Sequence, residues 1–152
     1  LVVKNGIPFI TRSIATGGNT ITQTIARTLG IAPEQAESMK RDIKSMQTFA
    51  PTGDLTPILN VLAKPILDEI KYIIGEYQKQ APTDRIEKMI LTGGSSLLPR
   101  LPEFLTQQLN INCYLGNPWA RIVYPPELRP VLEELGPRFA VTVGCAMRDQ
   151  DA

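Results

Sequence analysis

Two adjacent-glycine pairs constrain this chain most, because each stands where a β-type run gives way to helical periodicity. Ile7 to Ile14 leads into Thr16-Gly17-Gly18-Asn19, and Ile86 to Leu91 leads into Thr92-Gly93-Gly94-Ser95-Ser96. Strand, sharp turn, helix is the unit of an α/β architecture. The glycines let the backbone turn tightly and put no Cβ between it and a flat ligand. Ligands of open α/β sheets gather at the carboxyl ends of strands, where both loops fall. Each loop also has a plainer reading: a tight turn at Gly93-Gly94, and at Gly17-Gly18 a helix entry capped by Asn19 or Thr20. The Gly93-Gly94 loop is neither GxGxxG nor a Walker A motif and lacks the lysine that would meet phosphates.

The remaining pattern fills in the same architecture. Leu1 to Lys4 and Ile7 to Ile14 flank Asn5-Gly6, the signature of a type I′ hairpin turn. Ile21, Ile25, Ala26 and Leu29 share one helical face, and Gly30 ends that helix. Pro33 opens a second helix to about Met46, and Gln47 to Gly53 reads as a loop. Asp54 is the expected N-cap of the longest element, Leu55 to Gln80, with an apolar stripe from Leu55 to Tyr77. Pro65 lies inside it and predicts a kink. A helix from Pro99 to Leu109 and a strand from Ile111 to Leu115 follow. Pro125, Pro126, Pro130 and Pro137 predict a broken stretch with a short helix, Glu127 to Leu135, before a closing helix, Phe139 to Arg148. The sum is a mixed sheet, antiparallel at the start and parallel later, with flanking helices.

With 16 Lys+Arg, 15 Asp+Glu and no histidine, the chain has no Ser-His-Asp or Cys-His pair and no His-ligated metal. Cys113 and Cys145 are too few for a four-cysteine zinc site and read as small core residues. A net charge of +1 with mixed signs offers no electrostatic grip on nucleic acid. No apolar run approaches the roughly 18 residues of a membrane span. Unpaired cysteines and no visible leader point to the cytoplasm. The chain opens inside a strand and reads as a piece of something longer. Asp68, Glu69 and Lys71 read as the solvated face of the long helix, and Trp119 as a packed loop aromatic or a partner anchor.

Taken in order, Gly17-Gly18-Asn19-Thr20-Ile21-Thr22, Ile25-Ala26, Ala36-Glu37-Ser38-Met39-Lys40, Leu91-Thr92-Gly93-Gly94-Ser95 with Leu98-Pro99, Asn117-Pro118 and Phe139-Ala140-Val141-Thr142-Val143-Gly144 resemble the second half of an actin-like ATPase. The resemblance is closest to the PilM-like proteins of type IV pilus assembly, related to FtsA. It implies a ribonuclease H-like α/β domain over residues 1–137 and a closing helix over 138–152 beneath a nucleotide cleft, with Gly144 allowing close packing. It implies that Gly93, Gly94 and Ser95 lie against adenine and ribose, and that Gly18 and Asn19 approach ribose or phosphate. Glu69 and Lys71 are implied as polar contacts from the long helix.

The implied ligand is ATP, with magnesium in the intact protein, and the implied activity is at most a weak ATPase. The family's Asp-x-Gly phosphate loop has no counterpart here, so this chain is expected to be inactive, with no catalytic residue. The implied role is a nucleotide-binding cytoplasmic scaffold, peripheral to the inner membrane through a PilN-like protein whose short cytoplasmic tail it binds. Alternatives are an FtsA-like division scaffold, a sugar- or acetate-kinase-like enzyme, and a structural domain that binds no nucleotide. In the actin-like arrangement the absent phosphate-loop strand lies between the strand ending near Lys4 and that of Ile86 to Leu91. Two open strand edges, and with them an oligomer or domain swap, are therefore expected.

Overall fold

The structure, a computed structural model, describes residues 1–14, 17–41 and 56–148. Two short strands open it, β1 (Val2–Lys4) and β2 (Ile7–Ile10), paired antiparallel. Their turn is the one the sequence demands: Asn5 at φ 51° and Gly6 at φ 78° both take the left-handed conformation of a type I′ turn. The register slips between Val2 and Val3, opposite Pro8, whose ring nitrogen cannot join a ladder. The second strand ends at Ile10 rather than Ile14.

Helices α1 (Gly18–Leu29) and α2 (Pro33–Arg41) pack on each other, and Gly30, left-handed at φ 65°, ends the first. The Gly30 N–H and the Ile31 N–H both return to Ala26 C=O, so the helix end spends its donors internally. The further extent of α2 toward Met46, the loop 47–53 and the Asp54 cap lie outside the described residues. Helix α3 (Thr56–Gln80) runs without interruption through Pro65. Its C-terminal end is tied down where Asp84 accepts a hydrogen bond from the Tyr77 hydroxyl at 3.1 Å and pairs with Lys4 at 2.6 Å.

Strand β3 (Lys88–Leu91) leads through a 3-10 turn (Gly94–Leu97) and α4 (Leu101–Leu109) to β4 (Asn112–Leu115), parallel to β3 with Met89 beside Cys113. This is the strand–helix–strand unit that parallel pairing requires. The antiparallel and the parallel parts of the expected mixed sheet both form, but not as one continuous sheet. Among the described residues there are two separate two-stranded sheets, β1–β2 and β3–β4, with no ladder between them.

The core sits between α1, α3, α4 and the inner face of β3–β4. Ile25 is fully buried, and Ile21, Leu59, Leu62, Leu67, Phe104 and Leu105 pack around it. Cys113 joins this core as expected, and burial pushes its thiol pKa up. Cys145, also expected in the core, is instead exposed, because helix α5 (Arg129–Met147) turns Val143 inward in its neighbourhood. α5 also corrects the expected break. One helix replaces the two predicted, and it runs through Pro137, with residues 137 and 138 both inside it.

Two anchors fasten this helix on either side of the proline. The Trp119 indole N–H donates to Leu132 C=O at 2.6 Å, and the Gly93 N–H donates to Pro137 C=O at 2.7 Å. The carbonyl that the ring leaves without its helical donor is that of Glu133, between these two points. Trp119 is thus the packed loop aromatic of the sequence reading, 6.1 Å from the Phe139 ring. Close packing on α5 falls at Gly136, where a Cβ would meet the Trp119 Nε1 at 3.1 Å. At Gly144, where it was expected, a Cβ would meet nothing within 4 Å.

Candidate functional site

Helix α1 starts on the glycine pair itself. Gly17 is extended (φ −110°, ψ −179°) and stands at the N-cap with no side chain bonded to the first turn. Asn19 and Thr20, expected to cap the helix, lie inside it instead, and its first helical bond runs from the Ile21 N–H to Gly17 C=O at 3.2 Å. Glycine serves at an N-cap within a few tenths of a kcal/mol of a polar residue, so the cap needed no side chain. The N–H groups of Gly18, Asn19 and Thr20 are the donors for which that helix start offers no intrahelical partner, and the Gly17 N-cap gives them no side chain.

Packing of α2 on α1 brings a charged pair to the same place. Ala36 and Met39 are buried and fix the rotation of α2, and the turn between them presents Glu37 and Lys40, three residues apart, to α1. The Lys40 ammonium donates to Glu37 Oε2 at 2.6 Å, to Thr22 Oγ1 at 2.8 Å and to Gly18 C=O at 3.1 Å. Three donors meet three acceptors. The Thr22 hydroxyl lies 2.5 Å from Glu37 Oε2 and 2.9 Å from Gly18 C=O. Its single proton favours the carboxylate, the charge-assisted choice. Beside this cluster an open groove of about 560 Å³ is lined by Asn19, Thr22, Pro33, Glu34, Glu37 and Ser38.

The second glycine loop is anchored elsewhere. Gly93 sits at φ 90°, ψ 164°, a region essentially closed to residues with a Cβ. Its carbonyl accepts from the Ser96 hydroxyl at 2.6 Å and the Ser96 N–H at 3.1 Å, and its N–H is held by Pro137 of α5. Gly94 is exposed, and a Cβ there would meet only Arg138 Cγ, at 4.0 Å. Ser95 is half-buried and its carbonyl accepts from the Leu98 N–H at 3.3 Å.

Of the seven residues singled out from the sequence, Gly18 and Asn19 therefore stand with the Glu37–Lys40 cluster, while Gly93, Gly94 and Ser95 stand against α5. The groove at Asn19 does not reach the second loop. Glu69 faces Arg12, with Oε2 2.5 Å from Arg12 Nε and Oε1 3.4 Å from Nη2, while the guanidinium covers the Tyr72 ring at 4.6 Å. Lys71 is exposed on α3. Neither lines the groove at Asn19. Sequence reasoning passed over Thr22, Glu37 and Lys40 as site residues. The available signal was the Glu37–Lys40 spacing inside Ala-Glu-x-x-Lys, which puts both side chains on one helical face.

These elements define an α/β protein with two glycine-led helix entries, one of them backed by a buried-edge Glu–Lys–Thr cluster. The chain belongs to the family of type IV pilus assembly protein PilM, whose family model matches residues 1–150. Among solved structures it is similar to one described as a PilM-PilN type IV pilus biogenesis complex, at 26% identity and a TM-score of 0.67. That likeness covers 93% of this chain and 39% of the solved chain, so the sequence spans about two fifths of that relative's length. Among curated proteins, none matches. No helix among the described residues is long and apolar enough to cross a membrane.

Proposed function

We propose that the chain is the second half of an actin-like, nucleotide-binding scaffold of type IV pilus assembly, held at the inner membrane through a PilN-like partner. The scaffold role rests on the family match over residues 1–150, and the partner on the solved complex of a relative. The observation that carries the nucleotide reading is the Glu37–Lys40–Thr22 cluster beside the uncapped start of α1. A carboxylate is an acceptor for ribose hydroxyls, and free helix-start N–H groups are donors for a phosphate or ring acceptor. Lys40 spends its protons inside the protein, so it positions Glu37 rather than gripping a ligand.

In this reading Glu37 accepts from the ribose, Gly18 and Asn19 line its approach, and Gly93, Gly94 and Ser95 form the adenine wall. Glu69 and Lys71 are not needed, since Glu69 already serves Arg12. Magnesium on a nucleotide takes most of its ligands from phosphates and water.

Calorimetric titration of this chain with ATP and with adenosine tests the reading. Both should bind with similar, weak affinity and without turnover, and Glu37→Gln should weaken both about tenfold, the effect of one charge-assisted hydrogen bond. Micromolar ATP binding with hydrolysis would contradict it, as would an unchanged affinity in the Gln variant.

A further inference from the structure

Thr22 stands on the buried stripe of α1 with Ile21, Ile25 and Ala26, and only 7% of it is exposed. A hydroxyl in such a place loses its water and needs a partner. Valine would fill the same space without that need, so packing alone does not call for threonine here. The Thr22 Oγ1 atom lies 2.9 Å from Gly18 C=O, 2.5 Å from Glu37 Oε2 and 2.8 Å from the Lys40 ammonium. Gly18 C=O accepts from Lys40 at 3.1 Å. Four positions before Thr22 in α1, it is also the helical acceptor of the Thr22 N–H. Those two donors fill the two lone pairs of that carbonyl, and the hydroxyl proton goes to Glu37. Thr22 thus accepts from an ammonium and donates to a carboxylate, a charge-assisted bond on each side.

We infer that Thr22 is a positioning residue for ribose recognition, acting through Glu37 by holding its carboxylate in the orientation that accepts from a ribose hydroxyl. The inference rests on the nucleotide reading of this cluster and deepens it. Two side-chain donors converge on one oxygen, Glu37 Oε2: Lys40 from the same helix and Thr22 from the facing one. The lysine is a point charge on a flexible four-carbon stem and supplies attraction with little direction. Threonine is stiff at χ1, and the contact with Gly18 C=O marks the rotamer it holds. A donor fixed on α1 therefore sets the direction of a carboxylate carried by α2. Glu37, Thr22 and Asn19 line the same groove, so the oriented group is the one a ligand meets. A glutamate that is already held loses less rotamer freedom when ribose binds, which is preorganisation.

The test titrates the full 152-residue chain with adenosine and with 2′,3′-dideoxyadenosine, which keeps the base and lacks the 2′ and 3′ hydroxyls. Chemical-shift changes in nuclear magnetic resonance spectra report weak binding of both. The unaltered chain should prefer adenosine by about tenfold, the effect of a charge-assisted hydrogen bond. Thr22→Val should remove that preference by weakening adenosine alone, and Thr22→Ser should restore it. The double variant Thr22→Val/Glu37→Gln should lose no more than Glu37→Gln does, since both changes act on one contact. A preference that survives Thr22→Val but not Glu37→Gln would overturn this inference and leave Glu37 as the ribose acceptor. Equal weakening of both ligands by Thr22→Val, or no rescue by serine, would give Thr22 a structural role only and also overturn it. Absence of any preference in the unaltered chain would remove the ribose reading itself, and this inference with it. One measurement needs no variant: the Thr22 hydroxyl proton resonance should move on adding adenosine and not on adding the dideoxynucleoside. A resonance that stays in place with both would overturn the inference.

Discussion

Gly93 and Gly94 are neighbours in sequence, but the backbone asks different things of them. Gly93 holds φ 90° and joins β3 to α5 through the Pro137 carbonyl. Gly94 has open space around it and no left-handed angle. Gly93→Ala should therefore cost about 1–3 kcal/mol of stability, the strain of a Cβ in a glycine-only region, read as a lower urea midpoint. Gly94→Val should fold with nearly unchanged stability yet lose adenosine and ATP binding. A destabilised Gly94→Val with intact binding would remove the adenine-wall assignment. The glycine pair was legible in the sequence. Which glycine serves the fold and which faces outward was not, because that depends on an α5 carbonyl more than 40 positions away.

At the scale of elements, prolines were the residues most easily misread. Pro137 suggested a helix end, but α5 continues through it, fastened on either side by Trp119 and Gly93. Pro65 is exposed in α3, and its missing N–H leaves the Val61 carbonyl without its intrahelical partner. Pro65→Ala should raise stability by about 2 kcal/mol, the helix-interior penalty less the entropy that proline removes from the unfolded chain. Chemical denaturation reads this directly, and a loss of stability would mean that Pro65 shapes a necessary bend. Short-range signals fared better: Asn5-Gly6 and Gly30 adopt the left-handed angles their positions require.

The hairpin's tie to α3 also has a pH signature. Hydrogen bonds from Lys4 and then from Tyr77 hold the Asp84 carboxyl below its ordinary value of 3.8. A depressed carboxyl contributes stability in full above its unfolded value, and that contribution is lost as pH falls through the folded value. Melting temperature should thus decline below about pH 4, and Asp84→Asn should flatten that decline. An identical acid profile in the Asn variant would show that the Lys4–Asp84 contact does not hold the hairpin in solution.

At the scale of the whole chain, no ladder joins β1–β2 to β3–β4 among the described residues. Apolar periodicity and turn residues, acting over a few positions, already specified the hairpin, helices α1, α3 and α4 and the parallel β3–β4 unit. They also carried the family resemblance that the match over residues 1–150 supports. Pairing between strands distant in sequence is a different matter, since nothing local states which edge lies beside which. Only tertiary structure decided that α3 lies under a groove beside β1 and β3. It also decided that Glu37 and Lys40 reach Gly18 and Thr22, and that Cys145 stays in solvent while Cys113 is buried. The physical reason is the range of the forces. A residue's own dihedral preferences and helical face are written in its neighbours, whereas burial and hydrogen-bond partners are set by whichever segments the closed chain brings within a few ångströms.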